Sequence, residues 1–157
     1  SGKATMIGIA TGMVAGLATI TPASGTVGPA GALLIGFMAG IVCFYATQAV
    51  KSYFKIDDSL DVFPVHGVGG ILGIIMLAIV GNPDGFLGSG ASGISEDGVV
   101  AQLVIQLQGV FIICAYTALI TYVILKVLNM FIEVRVTNEQ EDIGLDMSEH
   151  NEQGYSL

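Results

Sequence analysis

Hydrophobic residues along this chain gather in four long runs with few polar interruptions. They fall at about Ala4 to Ile20, Ala30 to Val50, Val62 to Val80 and Val99 to Met130. At about 1.5 Å of rise per residue, the first three match the roughly 30 Å hydrocarbon thickness of a bilayer. The fourth is longer, so it tilts or emerges into water at its C-terminal end. No Asp, Glu, Lys or Arg occurs from Ala4 to Val50, from Val62 to Pro83, or from Gly98 to Leu125. In lipid, backbone polar groups must be satisfied within the segment, which makes each run a helix. Breakers separate the runs. Thr21-Pro22 ends the first, and Pro29 stands among three glycines between Gly25 and Gly31. The stretch Gly81 to Gly98 is rich in Gly, Ser, Asn and Asp and reads as a solvent-exposed connection. The pattern predicts an all-α membrane protein, a polytopic transmembrane helical bundle. Residues 1–132 form the membrane region and 133–157 a tail.

Composition agrees. The chain is 53% hydrophobic and 11% charged, with a mean hydropathy of +0.78. A soluble helical core would need polar outer faces that these runs lack. The formal charge of -8 is unevenly spread, since seven of the thirteen acids lie after Met130. With five Lys and Arg in all, the chain has no footprint for nucleic acid. The placement of those five sets an orientation. Lys3 precedes the first run, Lys51 and Lys55 follow the second, and Lys126 and Arg135 close the fourth. All then fall on one side, which the positive-inside rule assigns to the cytoplasm together with the tail. The opening Ser1-Gly2-Lys3 lacks Met and a signal peptide, and reads as the interior of a longer protein.

Gly8, Gly12 and Gly16 recur every four residues, as do Gly36 and Gly40, and Gly69 and Gly73. Small residues at this spacing let membrane helices approach closely. Gln102 and Gln106 share a helix face and suit interhelical hydrogen bonds. Cys43 and Cys114, both within apolar runs, read as buried thiols.

The third run holds one histidine, His66, and no charge. A titratable side chain inside a membrane helix is costly to keep and is a functional candidate by default. Helical spacing places Val62, His66, Gly69, Gly70 and Gly73 on one stripe, which leaves room for a neighbouring helix or a narrow lumen. Imidazole can donate from one nitrogen and accept at the other, so it could hold a small neutral guest or pass a proton. The bland alternative is a packing histidine bonded to a backbone carbonyl. No second His, Cys or carboxylate stands at ligand spacing nearby, so neither a metal nor another cofactor is expected. Asp61 is expected to cap this helix, with an added role drawing cations to the cytoplasmic mouth. Lys55 with Asp57, Asp58 and Asp61 makes a plausible network there.

The stretch DDSLDVFPVHGVGGILG, Asp57 to Gly73, resembles the signature of the ammonium transporters (Amt/Mep/Rh). GIATGMVAGLATITPASG, Gly8 to Gly25, is similar to the family's eighth transmembrane helix, and GALLIGFMAGIVCF to its ninth. The tail segment GLDMSEHNEQGY, Gly144 to Tyr155, resembles the regulatory C-terminus of bacterial members. The likeness runs through essentially the whole chain, in order.

The resemblance implies helices eight to eleven of an eleven-helix transporter. It implies a homotrimer in the cell (inner) membrane, with one pore per subunit and a cytoplasmic C-terminus. Ammonium would be deprotonated, and ammonia conducted through a hydrophobic pore past a histidine. His66 matches the second of the family's twin pore histidines, Val62 a pore-lining apolar position, and Thr21 a threonine near the pair. Gly144, Leu145, Asp146, Ser148 and His150 fall in the regulatory motif, which implies contact with a PII signalling protein. The first histidine, the aromatic gate and the acidic recruitment site belong to earlier helices. Pro64 and Asn151 stand where many members have glycine. An ammonium sensor signalling through the tail is the alternative.

Overall fold

The computed structural model of the protein describes residues 5–81 and 97–152. Most of the Gly81–Gly98 connection, Lys3, and the end of the tail motif, including Tyr155, lie outside the described residues. The four apolar runs are helical. Helical stretches long and apolar enough to cross a membrane run Met6–Ala23, Pro29–Tyr53, Phe63–Gly81 and Val99–Leu128, and are called spans one to four below. Their lengths are about 27, 37, 28 and 45 Å at the helical rise.

Local chemistry sets their ends. In α1 (Met6–Ile20), the Thr5 side chain caps the first turn by accepting from the Gly8 N–H at 3.0 Å. Pro22 then tightens the chain into a 3₁₀ turn, Thr21–Ala23. Gly25, at φ 82°, supplies the left-handed residue the turn needs. In α2 (Pro29–Gln48), proline occupies the first position, where its missing N–H costs nothing. The helix continues past Gln48 as a wider π-type turn, Ala49–Tyr53, closed by Phe54 N–H to Ala49 C=O at 2.9 Å. Span three is wide at both ends. A π-type turn at Phe63–Val68 leads into α3 (Gly69–Met76), and another follows at Leu77–Gly81.

The chain divides into two compact units, one ending at Ile112 and one beginning at Ile113. The first is held where α1, α2 and span three meet. Ala23, Ile35, Met76 and Val80 form one buried cluster, and Ala15, Cys43 and Val65 another. Lipid tails are as apolar as these side chains, so close dispersion contact decides packing here. The glycines permit that closeness unequally. A Cβ at Gly73 would run into the Thr19 carbonyl. One at Gly69 would stand 2.7 Å from the Thr19 hydroxyl and 3.2 Å from the Cys43 sulfur. Gly16 faces Gly36 at about contact distance, whereas Gly12 and Gly40 meet nothing within 4 Å among the described residues. The expected glycine stripes are thus used at α3 and at the Gly16–Gly36 crossing.

The fourth span, α4 (Val99–Leu128), is continuous and exposes large apolar side chains on every side. Gln102 near its start is buried and engaged. Cys114 is exposed, against expectation, because almost none of the described residues cover α4 around it.

The second unit ends in two short helices, α5 (Asn138–Ile143) and α6 (Leu145–His150), joined at Gly144 with φ 96°. Thr137 and Gln140 form a reciprocal capping box on α5. The Gln140 amide also donates to Glu149 at 2.8 Å, and Arg135 pairs with Glu141 at 2.9 Å.

Candidate functional site

His66 lies in the first, wide turn of span three. Two carboxylates shape that turn, and the helix is not capped as the sequence suggested. Asp58 receives the Val62 N–H on one oxygen at 2.9 Å and the Phe63 N–H on the other at 2.8 Å. It therefore satisfies two of the amides a helix start leaves open. Asp61 makes neither bond. Its backbone is left-handed, φ 55°, and its carboxylate is turned to Lys51, 2.8 Å away at the end of span two. Lys51, not Lys55, makes this ion pair. The capping role expected of Asp61 belongs to Asp58, because the left-handed residue points its side chain away from the first turn.

The π-type turn also breaks the expected stripe. Its i→i+5 bonding widens the spacing of a face relative to an α-helix. Pro64 and Val65 turn inward and are buried, while Val62 and His66 stand exposed. Gly69 and Gly73 point elsewhere, onto Thr19. They seat span three against α1 and do not line a space beside the histidine.

What lies beside His66 is span one. His66 and Thr21 share an open groove of about 300 Å³ with Val14, Leu17 and Ala18. The Thr21 hydroxyl donates to the Leu17 carbonyl at 2.8 Å, a bond across one helical turn that spends its proton and leaves the oxygen as an acceptor. The walls are otherwise aliphatic. The groove thus offers an imidazole and a hydroxyl oxygen within an apolar lining, a setting that suits a small neutral guest with hydrogen-bonding capacity. Val62 is half-exposed at 52% and does not line this groove.

Gly144, Leu145, Asp146, Ser148 and His150 belong to the second unit. Gly144 ends α5 and opens α6, Asp146 sits in the first turn of α6, and His150 closes it. Ser148 donates its backbone N–H to the Gly144 carbonyl at 3.0 Å.

Sequence reasoning missed Thr19. It is fully buried and meets both Gly69 and Gly73. Its signal was present: Thr19 lies one turn from Ala15 on the same face of α1, at the spacing of a packing surface.

Four apolar helical stretches of membrane-spanning length, three of them packed against one another, define an integral membrane protein. Comparison with known proteins narrows the class. The Ammonium Transporter Family matches residues 1–155, and the chain belongs to that family. An ammonium transporter of Aquifex aeolicus is 40% identical over 156 residues, covering 99% of this chain and 36% of that protein. Ammonium transporter Amt1 of Archaeoglobus fulgidus is also 40% identical, over 99% of this chain and 38% of its own length. Among solved structures, one titled "Sensor Amt Protein" superposes with a TM-score of 0.80 at 30% identity, covering 94% of this chain and 35% of that one. The chain spans about a third of the length of the curated relatives it matches.

Proposed function

We propose that this chain forms part of an ammonium transporter and that its groove at His66 lies on the conducting path. The observation that carries this reading is the pairing of His66 with Thr21 on an otherwise aliphatic groove, in a chain belonging to the ammonium transporter family. Taking a bare cation into such a lining is prohibitive. Loss of one proton turns ammonium into ammonia, which an aliphatic groove tolerates. His66 then serves as a hydrogen-bond partner to ammonia and as a carrier for the separated proton, and Thr21 as an acceptor. The groove is open on one face, so in this reading helices beyond this chain close it. Val62 sits on the cytoplasmic side of the path. The protein is a homotrimer in the cell inner membrane with the C-terminus in the cytoplasm, and α5–α6 is a regulatory surface for a PII signalling protein. The acidic tail and its exposed Ile143 and Leu145 suit docking.

The test is ammonium-dependent current in proteoliposomes from a full-length transporter carrying this chain. His66→Ala should abolish or uncouple the current, and His66→Glu, which keeps a proton carrier, should retain part of it. A His66→Ala protein with wild-type current would reduce His66 to packing. A second reading, an ammonium sensor signalling through the tail, is favoured by the likeness to the solved "Sensor Amt Protein". Specific ammonium binding without current would select it.

A further inference from the structure

We propose that the Lys51–Asp61 ion pair is a positioning element that fixes where span three begins, and so where Val62 and His66 stand. The proposal rests on the reading of His66 as a conducting residue, and its experiment separates the two.

The two aspartates divide the labour. Asp58 takes both open amides at the start of span three, so Asp61 is not needed as a cap. Asp61 instead holds a left-handed backbone, φ 55°, which aspartate tolerates better than most side chains and which turns its carboxylate towards span two. Its carboxylate is only 14% exposed, and Lys51, 42% exposed, meets it at 2.8 Å. A carboxylate so far withdrawn from water needs its partner, because removing one member leaves the other desolvated and unpaired.

The two ends of Asp61 reach different spans. Its carbonyl accepts the Val65 N–H at 3.0 Å and so belongs to the first turn of span three. Its side chain is held by span two, where Lys51 follows directly on the buried Val50. The loop's large side chains add little packing, since Phe54, Ile56 and Leu60 are all exposed, and its ties are the Asp58 bonds and the Ile56 N–H to the Val50 carbonyl at 3.0 Å. The ion pair therefore joins a buried anchor in span two to the turn that carries Val62 and, four residues on, His66. It also answers the expectation that Asp61 draws cations. Lys51 already pairs with one of the carboxylate oxygens, so Asp61 is not a free acid at the mouth.

The experiment uses a full-length transporter carrying this chain, reconstituted in proteoliposomes. D61N keeps the shape of the side chain and its tolerance of a left-handed backbone while removing the charge. K51M keeps the lysine stem. Both should lower the maximal ammonium current about tenfold and leave the half-saturating ammonium concentration unchanged. The double exchange K51D with D61K should recover most of the current. A cysteine at position 62, in a Cys114→Ser background, reports position without transport. Its labelling rate by a water-soluble thiol reagent should change in D61N and K51M and return in the exchange. Wild-type current and labelling in D61N and K51M would overturn the proposal. So would a raised half-saturating concentration in D61N alone, which would make Asp61 a recruiting acid. Where K51M unfolds, K51R must restore function, and a K51R protein that melts normally yet conducts no better than K51M sinks the idea. Failure of the His66 reading looks different: H66A keeps its current while D61N and K51M still alter labelling at position 62.

Discussion

The two units of this chain are both helical but are held by different forces. In the first, Gly73 lies directly on the Thr19 carbonyl, and Gly69 sits under the Thr19 hydroxyl and the Cys43 sulfur. Helices there are joined by backbone proximity and by the small apolar clusters around Ile35 and Val65. In the second, α5 and α6 bury none of their residues. They are tied by a capping box, the Gln140–Glu149 bond and the Arg135–Glu141 pair. The contrast follows the solvent. Between lipid-facing helices there is no water to expel, so contact distance is the main currency. In water, polar side chains can satisfy helix ends, but each such bond contributes only about 1 kcal/mol net. Substitutions should therefore be costly at Gly69 and Gly73, where span three meets α1, and mild in the tail.

The sharpest break is expected at Gly73. A methyl there has no room, because the obstacle is the Thr19 carbonyl and not a flexible side chain. Overpacking of this kind costs about 1–3 kcal/mol or more, and Gly73→Leu should exceed that range and prevent span three from seating. The check is thermal unfolding in detergent. Gly73→Leu should lose its cooperative transition, and Gly12→Ala, with open space around it, should not. A Gly73→Leu protein melting like the wild type would mean that the Thr19–Gly73 contact does not hold the unit together.

His66 should behave in the opposite way within the same unit. Its side chain is exposed on the groove, so its removal takes little packing with it. Truncation to alanine should cost no more than about the 0.5 kcal/mol typical of surface changes, a shift of about 4 °C at most in melting temperature. A large destabilisation would place His66 in the packing and weaken its transport role.

Much of this was legible in the sequence. The four helices followed from uncharged runs of bilayer length, and the breaks from Pro22, Gly25 and Pro29. The class of the protein was visible in the residues around His66, and the structure brings His66 and Thr21 to one groove. Three details were not legible, each for a physical reason. The stripe through Val62, His66 and Gly69 assumed α-helical spacing, and the π-type turn at Phe63–Val68 rotates the glycines away. A cap at Asp61 is what its place just before the helix predicts. A left-handed backbone at that residue handed the role to Asp58, and nothing in the local pattern announces it. The apolar neighbours of Cys114 predict burial, but hydropathy does not separate a protein-facing from an uncovered side of a helix.

In the tail, the largest single effect should come from Thr137. It accepts the Gln140 N–H, and the Gln140 side chain returns a bond to the Thr137 amide. Replacing Thr137 by alanine removes one arm of the capping box and should cost about 1 kcal/mol of local helix stability. Hydrogen exchange measures this directly. Amides of α5 should exchange about fivefold faster, since that is the ratio such an energy sets, while those of α2 and α3 keep their protection. Faster exchange in α2 would mean that the units do not open independently.

The smallest effect is expected at the Arg135–Glu141 pair. Its 2.9 Å distance invites a larger estimate, but the arginine side chain is 73% exposed and the glutamate 39%. Water and salt screen such a pair, and fixing two long side chains costs rotamer freedom that offsets the attraction. Exposed pairs contribute about 0–1 kcal/mol, and this one should fall in the lower half of that range. Arg135→Gln should therefore change exchange in α5 by less than twofold at physiological salt, and by nothing measurable near 1 M salt. Lys51→Met provides the contrast, because its partner carboxylate is mostly withdrawn from water and little screened. If Arg135→Gln loosened α5 as much as Thr137→Ala does, and did so at high salt, the pair would be acting through geometry and not charge. The hydrogen bond from the arginine to Glu141, not its charge, would then be what orders the start of the tail.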